Sequence, residues 1–266
     1  CFAGSRPQNL HQRWHARCGH INIDALCSGT KSGNISIPGV TPQQLRSAHR
    51  VAPLCHHCGL GKAHRVSRKS VSSTPRSRAF GEKLHADLEE IPRSFGGKLH
   101  ALFVVDDPSR YSWVRFVSRK SHAADELIDI VSLINSHYPT TVAGGSTVQV
   151  LRTDSGGEFK CHALRRSLSD INSLLSRECS TAGCSAFANG VVERMIRTVA
   201  ESARASSLAM GAPPAALAES IRHSVYLHNR LPTKSNPNSA PPIKVAFPSE
   251  KPLNMECLRP FCAPVC

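Results

Sequence analysis

The sequence lacks any long hydrophobic run. Nowhere do roughly eighteen apolar residues follow one another, so no membrane-spanning helix is expected. No basic segment followed by an apolar stretch opens the chain, which argues against a secretory signal peptide. It begins with Cys1 rather than methionine, as a piece of a longer protein would. Its 266 residues can form one sizeable domain and a small one.

Acidic residues are nearly absent from the first third of the chain. Residues 1–80 hold twelve Lys or Arg and one acid, Asp24, so they carry +11 of the total net charge of +14. Residues 81–266 carry the remaining +3. A basic segment of this kind can neutralise backbone phosphates, which favours nucleic-acid binding over the alternative of a solvated basic surface.

The cysteines show no compact disulfide framework. There are eleven, an odd number, and they are spread from Cys1 to Cys266. This distribution favours a reduced, intracellular protein with one metal site over a secreted protein held together by disulfides.

One set of His and Cys residues has the composition of a structural zinc site. His15 and His20 lie five residues apart, and Cys55 and Cys58 form a Cys-x2-Cys knuckle. Two imidazoles and two thiolates suit tetrahedral Zn²⁺. Cys18 is a possible substitute ligand. The alternative is an ordinary His-rich segment, but residues 1–64 contain so little aliphatic material that folding without a metal is not expected. The other histidines of this part are predicted to be solvated or to face phosphate: His11, His49, His56, His57 and His64.

The pattern after residue 80 predicts a mixed α/β domain. Apolar and β-branched runs predict strands at 83–88, 99–105, 111–117 and 148–153. Apolar residues at helical spacing predict helices at 123–137, from 192 onward and at about 214–229. The stretch before residue 192 has no clear periodicity. Residues 232–252 are rich in Pro, Ser and Asn and predict an extended tail.

Three acidic residues lie at or near the ends of separate predicted elements: Asp87, Asp154 and Glu193. Such a set could hold Mg²⁺ for phosphoryl transfer. Each also has a structural alternative. Asp87 could be an edge-strand acid and Asp154 a turn residue, while Glu193 could complement the helix dipole or pair with Arg197. Spacing also leaves three competing acids open: Asp106, Asp107 and Glu158.

A family resemblance covers nearly the whole chain. The sequence resembles the integrase region of copia-type retrotransposon polyproteins. The matching segments, in the family's order, are 13–20 (RWHARCGH), 55–62 (CHHCGLGK), 105–113 (VDDPSRYSW), 154–159 (DSGGEF), 189–194 (NGVVER), 226–232 (YLHNRLP) and 258–262 (LRPFC).

The resemblance implies a ribonuclease-H-like mixed sheet flanked by helices, preceded by a small helical zinc-binding module. It implies a pre-integrase domain at 1–64, a basic linker at 65–79, a catalytic core at 80–231 and a Pro-rich extension at 232–266. Zinc would bind His15, His20, Cys55 and Cys58. The catalytic residues would be Asp87, Asp154 and Glu193, holding Mg²⁺ or Mn²⁺.

The implied activity is DNA 3′-end processing and strand transfer. The partners would be retroelement ends and target DNA, with a homo-oligomer on DNA, no membrane, and a nuclear location. Four basic residues are candidates for phosphate contact: Lys62, Arg65, Arg68 and Lys69. Their binding should depend strongly on salt and weakly on sequence.

The chain also departs from the family pattern. Residues 185–188 read SAFA where the family has Thr/Ser-Pro-Gln-Gln, and Cys18 stands where Leu is expected. Residues 89–92 (EEIP) replace a Gly-Pro that often follows the first catalytic Asp. A rival hypothesis is therefore an inactive remnant that binds zinc and nucleic acid, and a less favoured one is a plain ribonuclease H.

Overall fold

The computed structural model describes residues 10–50, 52, 55–62, 76–137, 147–154, 159, 162–173, 175–179, 189–249 and 253–263. The chain divides into two compact units. Unit 1 contains the described residues within 1–71 and 198–266, and unit 2 contains those within 72–197. Within unit 1, residues from 198 onward pack with the N-terminal segment.

Unit 2 is built on a five-stranded mixed sheet. Its strands are β2 (Lys83–Ser94), β3 (Lys98–Asp106), β4 (Ser112–Val117), β5 (Val150–Thr153) and β6 (Ser176–Cys179). The spatial order is β4-β3-β2-β5-β6. The first three strands pair antiparallel, whereas β5 runs parallel to both β2 and β6. The predicted mixed α/β class is confirmed.

Helix α5 (Ala123–His137) has the predicted bounds and supplies much of the core of unit 2. Its Leu127, Val131 and Ile134 are fully buried at helical spacing. They pack with alternate residues of the strands, such as Leu84 on β2, because successive strand side chains point to opposite faces. The opposite face of β2 therefore carries Lys83, His85 and Asp87.

Two elements of unit 2 were not predicted. Helix α6 (His162–Ile171) and strand β6 fall in the stretch without clear periodicity. Leu164 and Leu168 of α6 are buried in the same core as α5, one helical turn apart. Strand β2 is also longer than predicted, continuing to Ser94 past a register shift after Glu90.

Unit 1 is mainly helical. Its elements are α1 (Leu10–Arg17), α2 (Ile23–Lys31), β1 (Ile35–Ser36), α3 (Pro42–Arg50), α4 (His56–Gly61), the later part of α7 (Gly190–Met210), α8 (Leu217–Arg230), α9 (Pro242–Ala246) and β7 (Leu253–Asn254). The β1 and β7 strands pair parallel. The extended tail predicted at 232–252 therefore contains the short helix α9, and the short strand β7 follows it.

The hydrophobic core of unit 1 joins the two ends of the sequence. Trp14, Leu26 and Leu45 come from the N-terminal helices and are 3%, 0% and 0% exposed. Leu227 and Met255, from α8 and the tail, pack into the same cluster. The N-terminal segment thus obtains from the C-terminal part the apolar partners that it lacks in its own sequence. None of the described helices is both long and apolar enough to span a bilayer.

Candidate functional site

The structure brings the four predicted zinc ligands of unit 1 together. One ligand atom from each of His15, His20, Cys55 and Cys58 lies within 4.8 Å of all the others. His15 Nε2 is 3.1 Å from Cys58 Sγ, and His20 Nδ1 is 3.4 Å from Cys55 Sγ. Ligands at usual Zn–N and Zn–S distances lie about 3.3–3.8 Å apart in a tetrahedron. The group can hold a metal ion, and its donors suit zinc.

A tight turn after α1 places the second histidine beside the first. His15 lies in the last turn of α1, and the chain then passes through left-handed conformations at Gly19 (φ 63°) and His20 (φ 60°). The His20 N–H donates to His15 O at 2.7 Å, which closes the turn. A Cβ on Gly19 would lie 2.7 Å from Leu227 Cδ1, so both conformation and space favour glycine.

Polar contacts hold this turn from outside. Ser202 Oγ on α7 donates to Gly19 O at 2.6 Å, and Lys62 Nζ donates to His20 O. The ring of His15 is oriented by Ile21, whose carbonyl oxygen lies 2.9 Å from His15 Nδ1. Contacts of this kind fix ring orientation and leave the other nitrogen for the metal.

The cysteine knuckle is fixed against α7 within unit 1. Cys55 immediately precedes α4 and Cys58 lies inside it. At the end of α4, a Cβ on Gly61 would lie 2.7 Å from Ala205 N, so this glycine permits a close approach of the backbones. Arg204 Nε also donates to Gly61 O at 3.1 Å. The sequence analysis did not anticipate that α7 supports the metal-binding group.

Burial sets the protonation of the ligands in the metal-free protein. It lowers the pKa of His15 to about 4 and that of His20 to about 3, so both imidazoles are neutral at physiological pH. Burial raises the pKa of the Cys58 thiol to about 12. A metal cation would reverse that preference, because thiolate is the form that coordinates. Metal binding at this group should therefore release protons.

Cys18 is not part of the group. It is 2% exposed and packs in the core of unit 1, and burial raises the pKa of its thiol far above the usual range. Among the predicted phosphate-facing histidines, His11 is 5% exposed and its Nε2 lies 3.2 Å from His49 Nδ1. His11 is thus buried rather than solvated.

Lys62 provides a test of the turn that carries His20. Lys62→Met keeps the side-chain length but removes the donor to His20 O. Because hydrogen bonds from charged donors are among the stronger ones, we expect the unfolding free energy of metal-loaded unit 1 to fall by about 1–2 kcal/mol. Denaturant unfolding measures this, with Lys31→Met at the exposed end of α2 as control. Equal losses in both variants would contradict the contact.

The sheet register of unit 2 places two of the predicted catalytic carboxylates side by side. Residues pair along the parallel strands β2 and β5 up to Ala86 and Thr153. The next residue along the chain is Asp87 within β2 and Asp154 immediately after β5. Both are half-buried and both follow residues that point into the core, so they share the opposite face.

The third predicted carboxylate lies in the first turn of α7. Burial raises the pKa of Asp87 to about 6, and the charges of Asp154, Glu89 and Glu193 add to the shift. Glu193 itself is exposed. No ion pair joins it to Arg197 in the described part of unit 2, so that structural alternative is not realised there.

Asp154 and Glu193 both contribute to the raised pKa of Asp87, but the oxygen atoms of the three carboxylates do not converge on one metal position in the described residues. Among the described residues, the His/Cys group is the one set of three or more such side chains whose ligand atoms converge. Asp87, Asp154 and Glu193 are therefore near enough for mutual charge repulsion but are spread more widely than the His/Cys donors. Repulsion of this type is what a divalent cation would relieve.

Two of the competing acids are engaged elsewhere. Asp106 is fully buried and accepts hydrogen bonds from Gly81 N at 2.8 Å and from the backbone and hydroxyl of Ser109. Burial raises its pKa to about 6. Asp107 accepts from Ser77 N at 2.8 Å and from Arg110 Nη1 at 3.0 Å. Both acids stabilise the turn after β3, which leaves neither available as a metal ligand.

The raised pKa of Asp87 predicts a pH dependence. Below pH 6 this carboxyl is mostly protonated and a poor ligand, so Mg²⁺ binding should weaken as pH falls through about 6. Asp154→Asn should lower the pKa of Asp87 part of the way, because burial remains while one repelling charge is lost. Carboxyl ¹³C NMR titration measures this. Glu90→Gln, an exposed acid near Lys120, is the control. An unshifted Asp87 in Asp154→Asn would contradict the proximity.

Two residues at this face were not singled out from the sequence. Asn189, just before α7, and His85, on β2, are 4% and 2% exposed and contact each other. The signal that could have found Asn189 is its place four residues before Glu193 in the segment 189–194. His85 gave no signal beyond its position two residues before Asp87.

Several predicted residues fall outside the described part of the chain. They are Arg65, Arg68, Lys69, Glu158 and the segment 185–188. Of the four predicted phosphate contacts, only Lys62 is described, and its amino group donates to His20 O.

Comparison with known proteins identifies a class of relatives. No protein-family model matches the chain. The chain is nevertheless similar over most of its length to retrotransposon Pol polyproteins.

Three of these relatives come from plants. The Retrovirus-related Pol polyprotein from transposon TNT 1-94 of Nicotiana tabacum is 28% identical over 223 residues, covering 83% of this chain and 15% of the relative. The corresponding polyprotein from transposon RE2 of Arabidopsis thaliana is 28% identical over 265 residues, covering 98% and 16%. That from transposon RE1 of Arabidopsis thaliana is 26% identical over 235 residues, covering 87% and 14%. The chain therefore spans between 14% and 16% of the length of these relatives.

Proposed function

We propose that this chain is the integrase part of a retrotransposon polyprotein and catalyses DNA 3′-end processing and strand transfer. The observation that carries the proposal is the carboxylate face of unit 2, where the register of β2 and β5 ends beside Asp87 and Asp154 and where burial, with the charges of Asp154 and Glu193, raises the pKa of Asp87. The similarity to retrotransposon Pol polyproteins supports a retrotransposon-related function.

The sheet supports a ribonuclease-H-like core. Three antiparallel strands are followed by two parallel ones, with the acid-bearing strand β2 in the centre. Central position and parallel register place Asp87 and Asp154 next to each other, while α7 supplies Glu193. In this proposal β2, the end of β5 and α7 supply the three catalytic carboxylates. Groups on or next to regular elements are held more rigidly than groups on long loops.

The carboxylates are proposed to hold Mg²⁺ or Mn²⁺, since hard oxygen ligands suit these cations. Such metals, when bound, activate a water or a DNA 3′-hydroxyl and stabilise the departing oxygen. Asp87 and Asp154 are half-buried, whereas Glu193 is exposed and accessible to a phosphodiester. No protein nucleophile is needed in this scheme.

Unit 1 is proposed to be a zinc-stabilised DNA-binding module. His15, His20, Cys55 and Cys58 would hold Zn²⁺, and basic residues of the N-terminal segment would contact retroelement ends and target DNA. Lys62, Arg65, Arg68 and Lys69 are proposed phosphate contacts. Joining two DNA ends to a target would require a homo-oligomer on DNA, and the role implies action in the nucleus.

The experiment that tests the function is a strand-transfer assay with the zinc-loaded 266-residue chain. Labelled duplexes that end in the element's termini are incubated with a target plasmid and Mg²⁺ or Mn²⁺. Metal-dependent joined product supports the proposal. DNA binding without joining in either metal would favour the inactive remnant. Cleavage of an RNA–DNA hybrid without DNA joining would favour ribonuclease H.

A further inference from the structure

A buried network of polar side chains lies beside Asp87, at the carboxylate face of unit 2. Asn189 Nδ2 donates to Ala86 O at 3.0 Å, and its Oδ1 lies 3.4 Å from His85 Nδ1. His85 and Ala86 are the two residues before Asp87 on β2. The side chain of Asn189 therefore links the start of α7 to the backbone of β2 next to Asp87, the first predicted catalytic acid.

The hydrogen-bond network continues away from Asn189 through His85. His85 Nε2 lies 3.3 Å from Asp107 Oδ1, and Arg110 Nη1 donates to the same oxygen at 3.0 Å. Burial alone would raise the pKa of Asp107. The hydrogen bonds from His85 and Ser77, together with the charge of Arg110, hold it well below its usual range. A buried network whose members are all hydrogen-bonded fixes side-chain positions, whereas a partly satisfied one destabilises the fold.

The connection reaches Glu193 by one helical turn. The Glu193 N–H donates to Asn189 O at 3.2 Å, so the two residues belong to the first hydrogen-bonded turn at the start of α7. A shift of Asn189 would shift this turn and the side chain of Glu193 relative to Asp87. A displacement of about 1 Å is enough to lower the rate of a positioned reaction by on the order of 10²-fold.

We propose that Asn189 and His85 are positioning residues that set the distance between Glu193 and Asp87 and thereby the affinity of the carboxylate face for divalent cations. The inference rests on the proposed function of these carboxylates. Neither residue contacts the metal or the DNA. Asn is suited to the position because its Nδ2 donates to Ala86 O while its Oδ1 lies against the His85 ring, whereas Asp would have no donor for Ala86 O.

The test uses Mn²⁺ as probe and the zinc-loaded full chain. Mn²⁺ affinity is measured by electron paramagnetic resonance, and strand transfer is measured as kcat and KM for DNA. Asn189→Ala is expected to weaken Mn²⁺ binding and to lower kcat by on the order of 10- to 100-fold, with KM for DNA nearly unchanged. His85→Ala should act in the same direction, and the losses in the double variant should be less than additive, because the two side chains contact each other in one network.

The matched control is Asn135 on α5, in the same unit. Its Oδ1 accepts hydrogen bonds from Thr147 N and Val148 N, both at 3.0 Å, so Asn135→Ala also removes two contacts of a partly buried amide. This variant should lose stability like Asn189→Ala but keep the Mn²⁺ affinity of the native chain. If it weakens Mn²⁺ binding equally, Asn189 has a general structural role and the inference is overturned.

The remaining outcomes separate the two proposals. If the native chain joins DNA and Asn189→Ala joins it equally well, the positioning inference fails while the integrase function stands. If the native chain never joins DNA but Asn189→Ala alone weakens Mn²⁺ binding, positioning stands and the function fails. If Asp87→Asn binds as much Mn²⁺ as the native chain, the carboxylate face does not bind the ion and the positioning inference is overturned.

Discussion

Glu193→Gln is expected to abolish metal-dependent DNA joining by the 266-residue chain, a loss on the order of 10³-fold or more. A loss of that size corresponds to about 4 kcal/mol in the barrier. Gln keeps the size of the side chain but replaces an anionic oxygen ligand by a neutral amide, which binds a hard divalent cation weakly. The measurement is the rate of strand transfer at saturating DNA in Mg²⁺ and in Mn²⁺.

This substitution also separates the catalytic interpretation of Glu193 from the structural one. As a first-turn acid that only complements the helix dipole, Glu193 would be worth about 0.3–1 kcal/mol of stability and nothing in joining. Glu219 is a matched control, because it is an exposed acid in the first turn of α8. Glu219→Gln should lose a similar small stability and no activity. If both variants join DNA at the native rate, Glu193 has only the dipole role.

Cys58→Ser is expected to remove the metal from unit 1 and to unfold the turn that carries His20. Structural zinc in small domains contributes roughly 10–16 kcal/mol of apparent binding free energy, far more than the whole stability of a typical domain. Without it, His15 and His20 remain neutral and buried with no cation to hold them together. Bound zinc is measured by a colorimetric release assay, and unfolding by fluorescence of Trp14, which is 3% exposed in this core.

The extent of unfolding in Cys58→Ser shows whether the whole of unit 1 depends on the metal or whether its apolar core folds without it. Leu227 and Met255 complete the apolar core of unit 1, so the C-terminal part should keep some structure after metal loss. The control is Cys262→Ser, because Cys262 is free and exposed. It should retain one zinc per chain and native fluorescence. A Cys58→Ser protein that also retains one equivalent of zinc would disprove the proposed ligand set.

The strongly patterned elements could be predicted from the sequence alone. Helix α5 has the predicted bounds because Leu127, Val131 and Ile134 recur at helical spacing on a face that is buried. Strands β3 and β4 were predicted within one residue at each end. The continuous apolar run of β3 reflects burial between β2 and β4, and the alternating burial of β4 reflects its place at the sheet edge. Helix α6 and strand β6 were missed because their sequences are only partly apolar. Strand β6 pairs with β5, and α6 packs on the core through Leu164 and Leu168.

For the candidate site, the sequence by itself determined the chemistry available: two imidazoles and two thiols in unit 1, and carboxylates at the ends of predicted elements in unit 2. Ligand type and spacing are local properties, so they can be read from the chain. Only the tertiary structure decided which acids are accessible. Asp106 and Asp107 accept hydrogen bonds at the turn after β3, whereas the register of β2 and β5 brings Asp87 beside Asp154.

The tertiary structure also decided what supports each group. Contacts between distant parts of the chain place Ser202 and Arg204 on the metal-binding turns and Asn189 on the backbone of β2. These contacts depend on strand register and helix packing, which have no local signature in the sequence. The residues that could perform the chemistry were therefore determined by the sequence, while the residues that hold them in position were determined by the fold.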